Sequence, residues 1–473
     1  MASIGTAERP LRVAVIGSGP AGFYTVEHLF RQKTYTVQVD MFERLPTPFG
    51  LVRYGVAPDH QKIKNVTRIY EKLARRPEFR FFGNVEYGRH VTLDDLRRHY
   101  HQIVFATGTQ GDRKLGIPGE ELQGFHSARE FVAWYNGHPD YAHLTFDLSK
   151  ELVAVVGVGN VAVDVCRILL KTREELLQTD IADYALEALA NSNVREVYML
   201  GRRGPAQAAF TPPEIKELGE LADAEVVVLP DEAELDELSR RAVEEHPDKE
   251  TLRKLEILRG YVRERPSGAK RRVLYLRFLV SPVEAHANEA GEVDGLKLVR
   301  NELYMTEAGT LRPRATEQFE EIPVQLVFRS IGYRGAPLPG LPFHERWGVI
   351  WNKKGRVVDP ESGEPLTGLY CAGWIKRGAT GVIGTNKPDA LETVECMVED
   401  VEAGRLLDPD APDPEAAECF VRERQPNYVS FEDWKIIDRL EVERGKAAGR
   451  PRVKFTSVEE MLEALRREKA AVR

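Results

Sequence analysis

Short apolar runs rich in β-branched residues alternate with helical patterns along the first part of the chain. The first run, residues 12–16, leads directly into Gly17-Ser-Gly-Pro-Ala-Gly22 and then into a helical pattern over residues 23–31. A second apolar run over residues 36–42 ends at Glu43. A strand, a glycine turn, a helix and a second strand closed by an acid indicate one right-handed βαβ unit.

The same order of elements returns near the middle of the chain. Apolar residues 152–156 lead into Gly157-Val-Gly-Asn-Val-Ala162, followed by a helical pattern through Leu170. A helical insertion over residues 173–190 delays the next strand, residues 194–200, which ends in Gly201-Arg202-Arg203 instead of an acid. Two nucleotide-binding units of different character are therefore predicted in one chain.

Two short apolar strands that end in Gly108 and Gly332 bracket the second unit. We interpret them as the paired crossovers between two domains. The predicted fold class is α/β, with two Rossmann-like dinucleotide-binding domains. Residues 1–110 and 332–473 form the first domain, and residues 111–331 form a second domain inserted into it.

The residues of the first turn suit a bound dinucleotide. Gly17 permits the tight turn, Gly19 lets the backbone approach a pyrophosphate, and Gly22 lets the helix pack close to the strand. Glu43 stands where a carboxylate binds ribose hydroxyls. The alternative is a purely structural turn followed by an incidental surface acid.

Alanine replaces the third glycine of the second turn, as the dinucleotide fingerprint allows. Arg202 and Arg203 then occupy the region where an NAD site has its acid, and guanidinium groups there bind a 2′-phosphate. This pattern selects NADP(H), unless the two arginines are simply solvated at a strand end. Two dinucleotides in one chain imply hydride transfer onto a flavin.

Charge and cysteine content exclude several other classes. The chain has 66 Lys and Arg against 74 Asp and Glu, a net charge of -8, which argues against a nucleic-acid binder. Its 4 cysteines are far apart, so neither the reactive pair of a disulfide reductase nor a zinc site is expected. No signal peptide, transit peptide or apolar run long enough to span a membrane is visible, which predicts a cytoplasmic protein.

Several longer motifs resemble the NADPH–ferredoxin reductases of the adrenodoxin-reductase type over nearly the whole chain. They are Val15-Ile-Gly-Ser-Gly-Pro-Ala-Gly22, Leu45-Pro-Thr-Pro-Phe-Gly-Leu-Val-Arg53, Gly55-Val-Ala-Pro-Asp-His60, Gly159-Asn-Val-Ala-Val-Asp164, Gly201-Arg-Arg-Gly-Pro205, Gly373-Trp-Ile-Lys-Arg-Gly378 and Gly381-Val-Ile-Gly-Thr-Asn386. One departure is Val158, in a position that is often Asn. The resemblance implies an FAD domain completed by the C-terminal segments and an inserted NADP domain.

The resemblance also implies functional residues. The FAD site would include Gly17, Gly19, Gly22, Glu43, Leu51, Val85, Trp374, Gly381, Val382 and Ile383. The NADP site would include Gln110, Gly159, Asn160, Val161, Ala162, Arg202, Arg203 and Glu214. By motif position, His60 and Glu217 would align the nicotinamide with the flavin, although a loop histidine and an exposed helical glutamate are the simpler alternatives. No metal site is expected.

The implied reaction passes electrons from NADPH through FAD to a ferredoxin, an acidic iron–sulfur carrier. Lys376-Arg377 is a local basic element that could receive it, whereas Lys270-Arg-Arg272 is more simply a set of solvated charges. Two alternatives stay open at this point. One is the electron-input module of a larger assembly such as glutamate synthase, and the other is a flavin-fold binding protein without turnover.

Overall fold

A computed structural model describes residues 3–471, which divide into two compact units. The first unit contains the residues up to Gly111 and those from Gly332 onward, and the second contains Asp112–Ile331. Among residues 3–471, no helix has both the length and the apolar character that crossing a bilayer requires.

The strands are, in chain order, β1 Leu11–Ile16, β2 Val37–Glu43, β3 Phe79–Gly83, β4 Gln102–Phe105, β5 Gly111–Asp112, β6 Phe125–Ser127, β7 Leu152–Val156, β8 Glu196–Leu200, β9 Ala224–Val228, β10 Arg272–Arg277, β11 Val280–Ala287, β12 Val293–Met305, β13 Leu311–Ile322, β14 Leu326–Arg329, β15 Tyr333–Arg334, β16 Phe343–His344, β17 Val349–Ile350, β18 Asn352–Lys353, β19 Arg356–Val358 and β20 Pro365–Cys371.

The α-helices are α1 Pro20–Arg31, α2 Leu51–Tyr54, α3 Gln61–Lys64, α4 Thr67–Ala74, α5 Leu93–Arg97, α6 Ala128–Tyr135, α7 Asn160–Leu170, α8 Arg173–Leu176, α9 Asp183–Ala190, α10 Pro212–Leu218, α11 Pro230–Ala233, α12 Glu237–Glu245, α13 Lys249–Arg259, α14 Trp374–Arg377, α15 Asn386–Glu402, α16 Pro414–Arg424, α17 Phe431–Ala447 and α18 Val458–Ala471.

The first unit is built on a seven-stranded sheet in the order β18-β19-β20-β4-β1-β2-β3. Strands β20, β4, β1, β2 and β3 are parallel, and β18 and β19 form an antiparallel edge. All six residues of β1 are buried, as expected for a central parallel strand covered on both faces. The C-terminal helices share this core, because Trp434 and Ile437 of α17 pack in the same cluster as Val13 and Phe23.

The second unit is built on a six-stranded parallel sheet in the order β6-β14-β7-β8-β10-β9. Its largest core cluster joins β7 and α7 to residues of α6, α9 and α10. A separate antiparallel sheet, β11-β12-β13, follows the end of β10. The α/β class with two parallel, Rossmann-like sheets is therefore confirmed.

Most predicted elements occur within two residues of their expected positions. The insertion over residues 173–190 contains α8 and α9, which accounts for the delay before β8. Ser457-Val-Glu-Glu460 has the sequence of a capping box before α18, but this capping box is only half formed. The amide of Glu460 donates to Ser457 Oγ, as a capping box requires. The hydroxyl of Ser457 in turn donates to the carboxylate of Glu459, a contact that is not part of a capping box.

Candidate functional site

The turn after β1 has the geometry that its three glycines predict. Gly17 has a φ of 106°, and a Cβ there would lie 2.5 Å from the carbonyl oxygen of Ala106, at the end of β4. A Cβ on Gly22 would lie 2.2 Å from the carbonyl oxygen of Gly17. A Cβ on Gly19, in contrast, would meet no atom of residues 3–471 within 4 Å. Gly17 and Gly22 are thus required by packing, whereas Gly19 faces open space at the N-terminus of α1.

Glu43 lies beside this turn at the end of β2. Its Oε2 accepts hydrogen bonds from the amide of Ser18 (3.1 Å) and from the hydroxyl of Ser18 (2.6 Å), and its Oε1 accepts one from the amide of Leu45 (3.2 Å). The amide of Val85 donates to the carbonyl oxygen of Glu43 at 2.9 Å. Because the side chain of Val85 is buried in the core, only its backbone can contribute to a site here.

Two further loops converge on the N-terminus of α1. The amide of Phe49 donates to the carbonyl oxygen of Ser18 at 3.0 Å, and a Cβ on Gly50 would lie 2.9 Å from Gly19 Cα. From the other end of the chain, a Cβ on Gly373 would lie 2.4 Å from Ala21 Cβ. The structure therefore brings together the first glycine turn, the segment that precedes Leu51 and the loop that carries Trp374.

The loop that follows Trp374 is held by its own side chains. Trp374 Nε1 donates to the carbonyl oxygen of Thr380 at 3.1 Å, and the amide of Val382 donates to Thr385 Oγ1 at 3.1 Å. Gly381 has a φ of 78°, and Ile383 begins the single 3-10 turn before α15. Sequence reasoning missed Asp389 on α15, whose carboxylate accepts a hydrogen bond of 2.6 Å from the amide of Gly373.

The prediction that Lys376 and Arg377 form a basic docking element is wrong. Lys376 is 7% exposed, and its ammonium group lies 2.8 Å from the carboxylate of Glu392 and 3.3 Å from that of Asp389. Arg377 donates to Asn386 Oδ1 and lies 3.6 Å from Asp389. These charges are neutralised within the chain because α15 packs over α14.

The second basic run, expected to be a set of solvated charges, instead forms hydrogen bonds and an ion pair within the chain. Lys270 Nζ donates to the carbonyl oxygens of Leu221 and Ala224, and Arg271 forms an ion pair of 2.6 Å with Asp223. Arg272 Nη1 donates to a backbone carbonyl oxygen. Through these hydrogen bonds and this ion pair, the run holds the start of β10 against neighbouring segments of the chain.

The turn after β7 repeats the geometry of the first turn. Gly157 has a φ of 135°, and a Cβ there would lie 2.1 Å from the carbonyl oxygen of Ser330, at the end of β14. A Cβ on Gly159 would meet no atom of the described residues within 4 Å. Ala162, in the third position, is fully buried. Each unit thus has one glycine pressed against the neighbouring strand end and one glycine that faces open space.

A loop from the same unit is hydrogen-bonded to this second turn. Asn160 Oδ1 accepts a hydrogen bond of 2.9 Å from the amide of Thr211, and the carbonyl oxygen of Val158 accepts from the amides of Ala209 and Phe210. Val161 follows in the first turn of α7 and is partly buried. Val158, which stands in a position that is often Asn, therefore contributes through its backbone. The loop over residues 209–211 borders the turn.

Arg202 and Arg203 follow β8, the strand next to β7. Their backbone is fixed, because Asn301 Nδ2 donates to the carbonyl oxygen of Arg202 (3.0 Å) and the amide of Leu279 donates to that of Arg203 (3.1 Å). The side chain of Arg202 is exposed. Partial burial, together with the charge of Arg202, lowers the pKa of Arg203. Two neighbouring guanidinium groups that repel each other in this way are well suited to bind a dianion.

The remaining predicted residues lie on a short helix or in the segments next to short elements. In the first unit, the amide of His60 donates to the carbonyl oxygen of Ala57 (3.0 Å) as α3 begins, and Gln110 is exposed near the end of that unit's first segment. In the second unit, Glu214 and Glu217 lie on α10. Glu217 Oε2 is 3.2 Å from Nη1 of the buried Arg167, so this carboxylate also balances a buried charge.

Comparison with known proteins agrees with this geometry. The family model for pyridine nucleotide-disulphide oxidoreductases matches residues 11–204. The NADPH-ferredoxin reductase FprA of Mycobacterium tuberculosis is 43% identical over 471 residues, which cover 96% of this chain and 99% of FprA. The human mitochondrial NADPH:adrenodoxin oxidoreductase is 40% identical over 469 residues, covering 97% of this chain and 93% of the human protein.

A solved structure of M. tuberculosis FprA in complex with NADPH matches with a TM-score of 0.89 and 42% identity, and covers 97% of this chain and 100% of that chain. Sequence identity at this level over essentially the full length of each protein indicates membership of one family, which is more than a shared fold. The chain belongs to the NADPH–ferredoxin reductase family of the adrenodoxin-reductase type.

Proposed function

We propose that this protein is an FAD-dependent ferredoxin–NADP(+) reductase, which passes electrons from NADPH through FAD to a ferredoxin-type iron–sulfur protein. The observation that carries the proposal is the pair of glycine turns with the same geometry, one beside Glu43 and the other beside Arg202 and Arg203. An acid at the strand end suits ribose hydroxyls, and arginines there suit a 2′-phosphate. One chain therefore offers two dinucleotide sites of different specificity.

The first unit fits FAD. The open space at Gly19 lies at the N-terminus of α1, a helix of 12 residues whose dipole and free amides favour a pyrophosphate. Leu51 and Val382 are 40% and 56% exposed, which leaves apolar side chains available to cover a flat ring. Bound FAD would supply a group that accepts two electrons as hydride and releases them singly. The chain itself supplies binding and orientation.

The second unit fits NADP(H) for the same physical reasons. Gly159 leaves space at the N-terminus of α7, and Arg202 and Arg203 lie at the end of the adjacent strand. Asn160, Val161 and Ala162 line the turn itself. The assignments of Gln110 and Glu214 to this cofactor stay predictions from the family resemblance.

We assign His60 and Glu217 to the alignment of the nicotinamide ring. Hydride transfer depends on the distance and angle between the two rings more than on a general acid, so positioning is the expected contribution. Backbone hydrogen bonds fix His60 at the start of α3, and Glu217 is held on α10 by Arg167.

An acidic iron–sulfur protein needs a basic surface on which to dock. Lys376 and Arg377 do not form such a surface, whereas the region of α3 and α4 does. We define the α3–α4 basic surface by its exposed cations, which are Lys62, Arg68, Lys72, Arg75 and Arg76. Between them, Ile63 and Ile69 are 41% and 46% exposed. A cationic patch with an apolar centre, on a protein whose net charge is -8, favours docking of an acidic partner.

A cytoplasmic location is part of the proposal. Cys166, Cys371, Cys396 and Cys419 are all free thiols, which is typical of proteins in a reducing compartment.

The test is reduction of purified ferredoxins, measured separately with NADPH and NADH. We expect a protein with a flavin absorption band that NADPH bleaches faster than NADH, followed by reduction of at least one ferredoxin. A protein that shows no flavin band after incubation with FAD would contradict the proposal. A flavin that NADPH reduces but that passes no electrons to any ferredoxin would contradict the assigned acceptor alone.

A further inference from the structure

The charged helices α12 and α13 contact the segment that follows Arg203. Ser239, fully buried in the first turn of α12, connects two side chains. Its hydroxyl donates to the N-cap carboxylate of Asp236 (2.6 Å) and accepts from Gln207 Nε2 (2.9 Å). Gln207 ends the 3-10 turn that begins at Pro205, directly after Arg202-Arg203-Gly204. This chain of hydrogen bonds ties the turn to α12.

Lys254 of α13 holds the next residue of the same segment. It is 7% exposed, and its ammonium group donates a hydrogen bond of 2.6 Å to the carbonyl oxygen of Ala208. The same group lies 5.8 Å from the ring centroid of Phe210. A buried lysine without a full ion pair is costly, so its presence at this position indicates a local need for positive charge or for a fixed backbone.

The pKa of Lys254 reflects both its burial and the charges around it. Burial lowers the pKa of Lys254, Asp248 and Glu250 raise it, and the nearby guanidinium of Arg203 lowers it. The hydrogen bond to Ala208, five residues after Arg203, places this second positive charge beside the segment that begins at the two arginines. A dianion bound to this segment would interact favourably with each of these cations.

We propose that Lys254 and Gln207 are positioning residues for the 2′-phosphate of NADP(H), an inference that rests on the proposed function. Asn301 and Leu279 hold the backbone of Arg202 and Arg203, and Gln207 and Lys254 hold the residues that follow. A backbone fixed at these successive points reduces the entropy lost when the long arginine side chains close on the phosphate. The positive charge of Lys254 strengthens the local field toward the anion.

The test is equilibrium binding of two nucleotide fragments, 2′,5′-ADP and 5′-AMP, measured by calorimetry on the holoenzyme. Lys254→Met retains the aliphatic stem and removes the charge and the donor. We expect affinity for 2′,5′-ADP to fall about tenfold, less than for loss of a direct charge-assisted hydrogen bond because Lys254 acts through the backbone, and affinity for 5′-AMP to change by less than about twofold. In turnover, the KM for NADPH should rise while kcat stays unchanged.

Lys249→Met is the matched control, because Lys249 is exposed at the start of the same helix. It should bind both fragments like the wild type, and Lys254→Arg should recover most of the lost affinity. If Lys254→Met does not fold, Gln207→Leu tests the same segment and should show the same selective loss.

Equal weakening of both fragments, or no weakening of either, in a folded variant would overturn the positioning role. If the wild type itself bound 2′,5′-ADP no tighter than 5′-AMP, the NADP assignment of this unit would fail, and the inference with it. A wild-type preference that survives unchanged in Lys254→Met would overturn the inference alone.

Discussion

The guanidinium group of Arg53 forms a two-point ion pair with the carboxylate of Glu441, which lies 388 residues later in the chain. The two nitrogen–oxygen distances are 2.9 Å and 2.5 Å, and the side chains are 5% and 0% exposed. Burial alone would raise the pKa of Glu441, but the charges of Arg53 and Arg452 hold it below its usual range. This pair joins α2, beside the first glycine turn, to α17, the second-last helix of the chain.

Glu441→Gln should strongly destabilise the protein, since it leaves Arg53 buried without its counter-charge. We expect the free energy of unfolding to fall by about 3–5 kcal/mol, measured by urea denaturation. Glu443→Gln is the control on the same helix. Its partner Arg439 and its own side chain are both about half exposed, so the loss there should stay below about 1 kcal/mol. Similar small losses in both variants would show that α17 is not anchored by this pair.

Gly19→Val and Gly159→Val should each remove one cofactor and spare the other. In the part of the chain that the structure describes, neither added Cβ meets an atom within 4 Å, so both variants should fold. The added side chains would instead occupy the space that the pyrophosphate approaches. Gly19→Val is expected to lack a flavin absorption band, whereas Gly159→Val should retain the band and lose NADPH binding by calorimetry. Loss of flavin in both variants, or in neither, would contradict the assignment of one cofactor to each unit.

Removing Arg202 and Arg203 together should change coenzyme preference. Each charge-assisted hydrogen bond to the 2′-phosphate contributes about 2 kcal/mol, or roughly thirtyfold in affinity. The KM for NADPH should therefore rise at least thirtyfold by this estimate, while the KM for NADH changes little. Arg271→Ala is the control, because this arginine is 81% exposed and paired with Asp223 in the same unit. An equal rise for both coenzymes would mean that the arginines serve only the fold.

His60→Ala and Glu217→Gln should slow the reduction of the flavin by NADPH in stopped-flow measurements, since both residues are assigned to alignment of the nicotinamide. Electron transfer from chemically reduced protein to ferredoxin should change much less. Glu220→Gln is the control on the segment after α10, where Glu220 is 63% exposed. If His60→Ala impaired only the ferredoxin step, His60 would belong to the docking surface instead.

Charge reversal on the α3–α4 basic surface should weaken ferredoxin docking. Lys62→Glu combined with Lys72→Glu is expected to raise the KM for ferredoxin about tenfold at low salt and to leave reduction of the flavin by NADPH unchanged. The difference from the wild type should shrink as salt screens the contact. Lys435→Glu is the control, because this lysine is about half exposed on α17 of the same unit. Equal effects of both changes would indicate a general field effect instead of a local docking site.

Local sequence was sufficient to predict both glycine turns and most of the elements around them. A turn of this kind depends on the φ and ψ angles of a few consecutive residues, so Gly17-Ser-Gly and Gly157-Val-Gly carry its conformation in their own composition. The same holds for Arg202 and Arg203, whose position follows from the end of one strand. The alternation of strand and helix then indicated two parallel sheets.

Only the tertiary structure decided which charges are available to a partner. Lys376 reads as a surface cation in the sequence, but α15 brings Glu392, 16 residues away, to within 2.8 Å of it. Lys254 lies in a stretch that reads as a solvated helix, yet it is buried against Ala208, 46 residues before it. Burial and pairing depend on which elements pack together, and that packing is set by contacts between residues far apart in the chain, which no local pattern encodes.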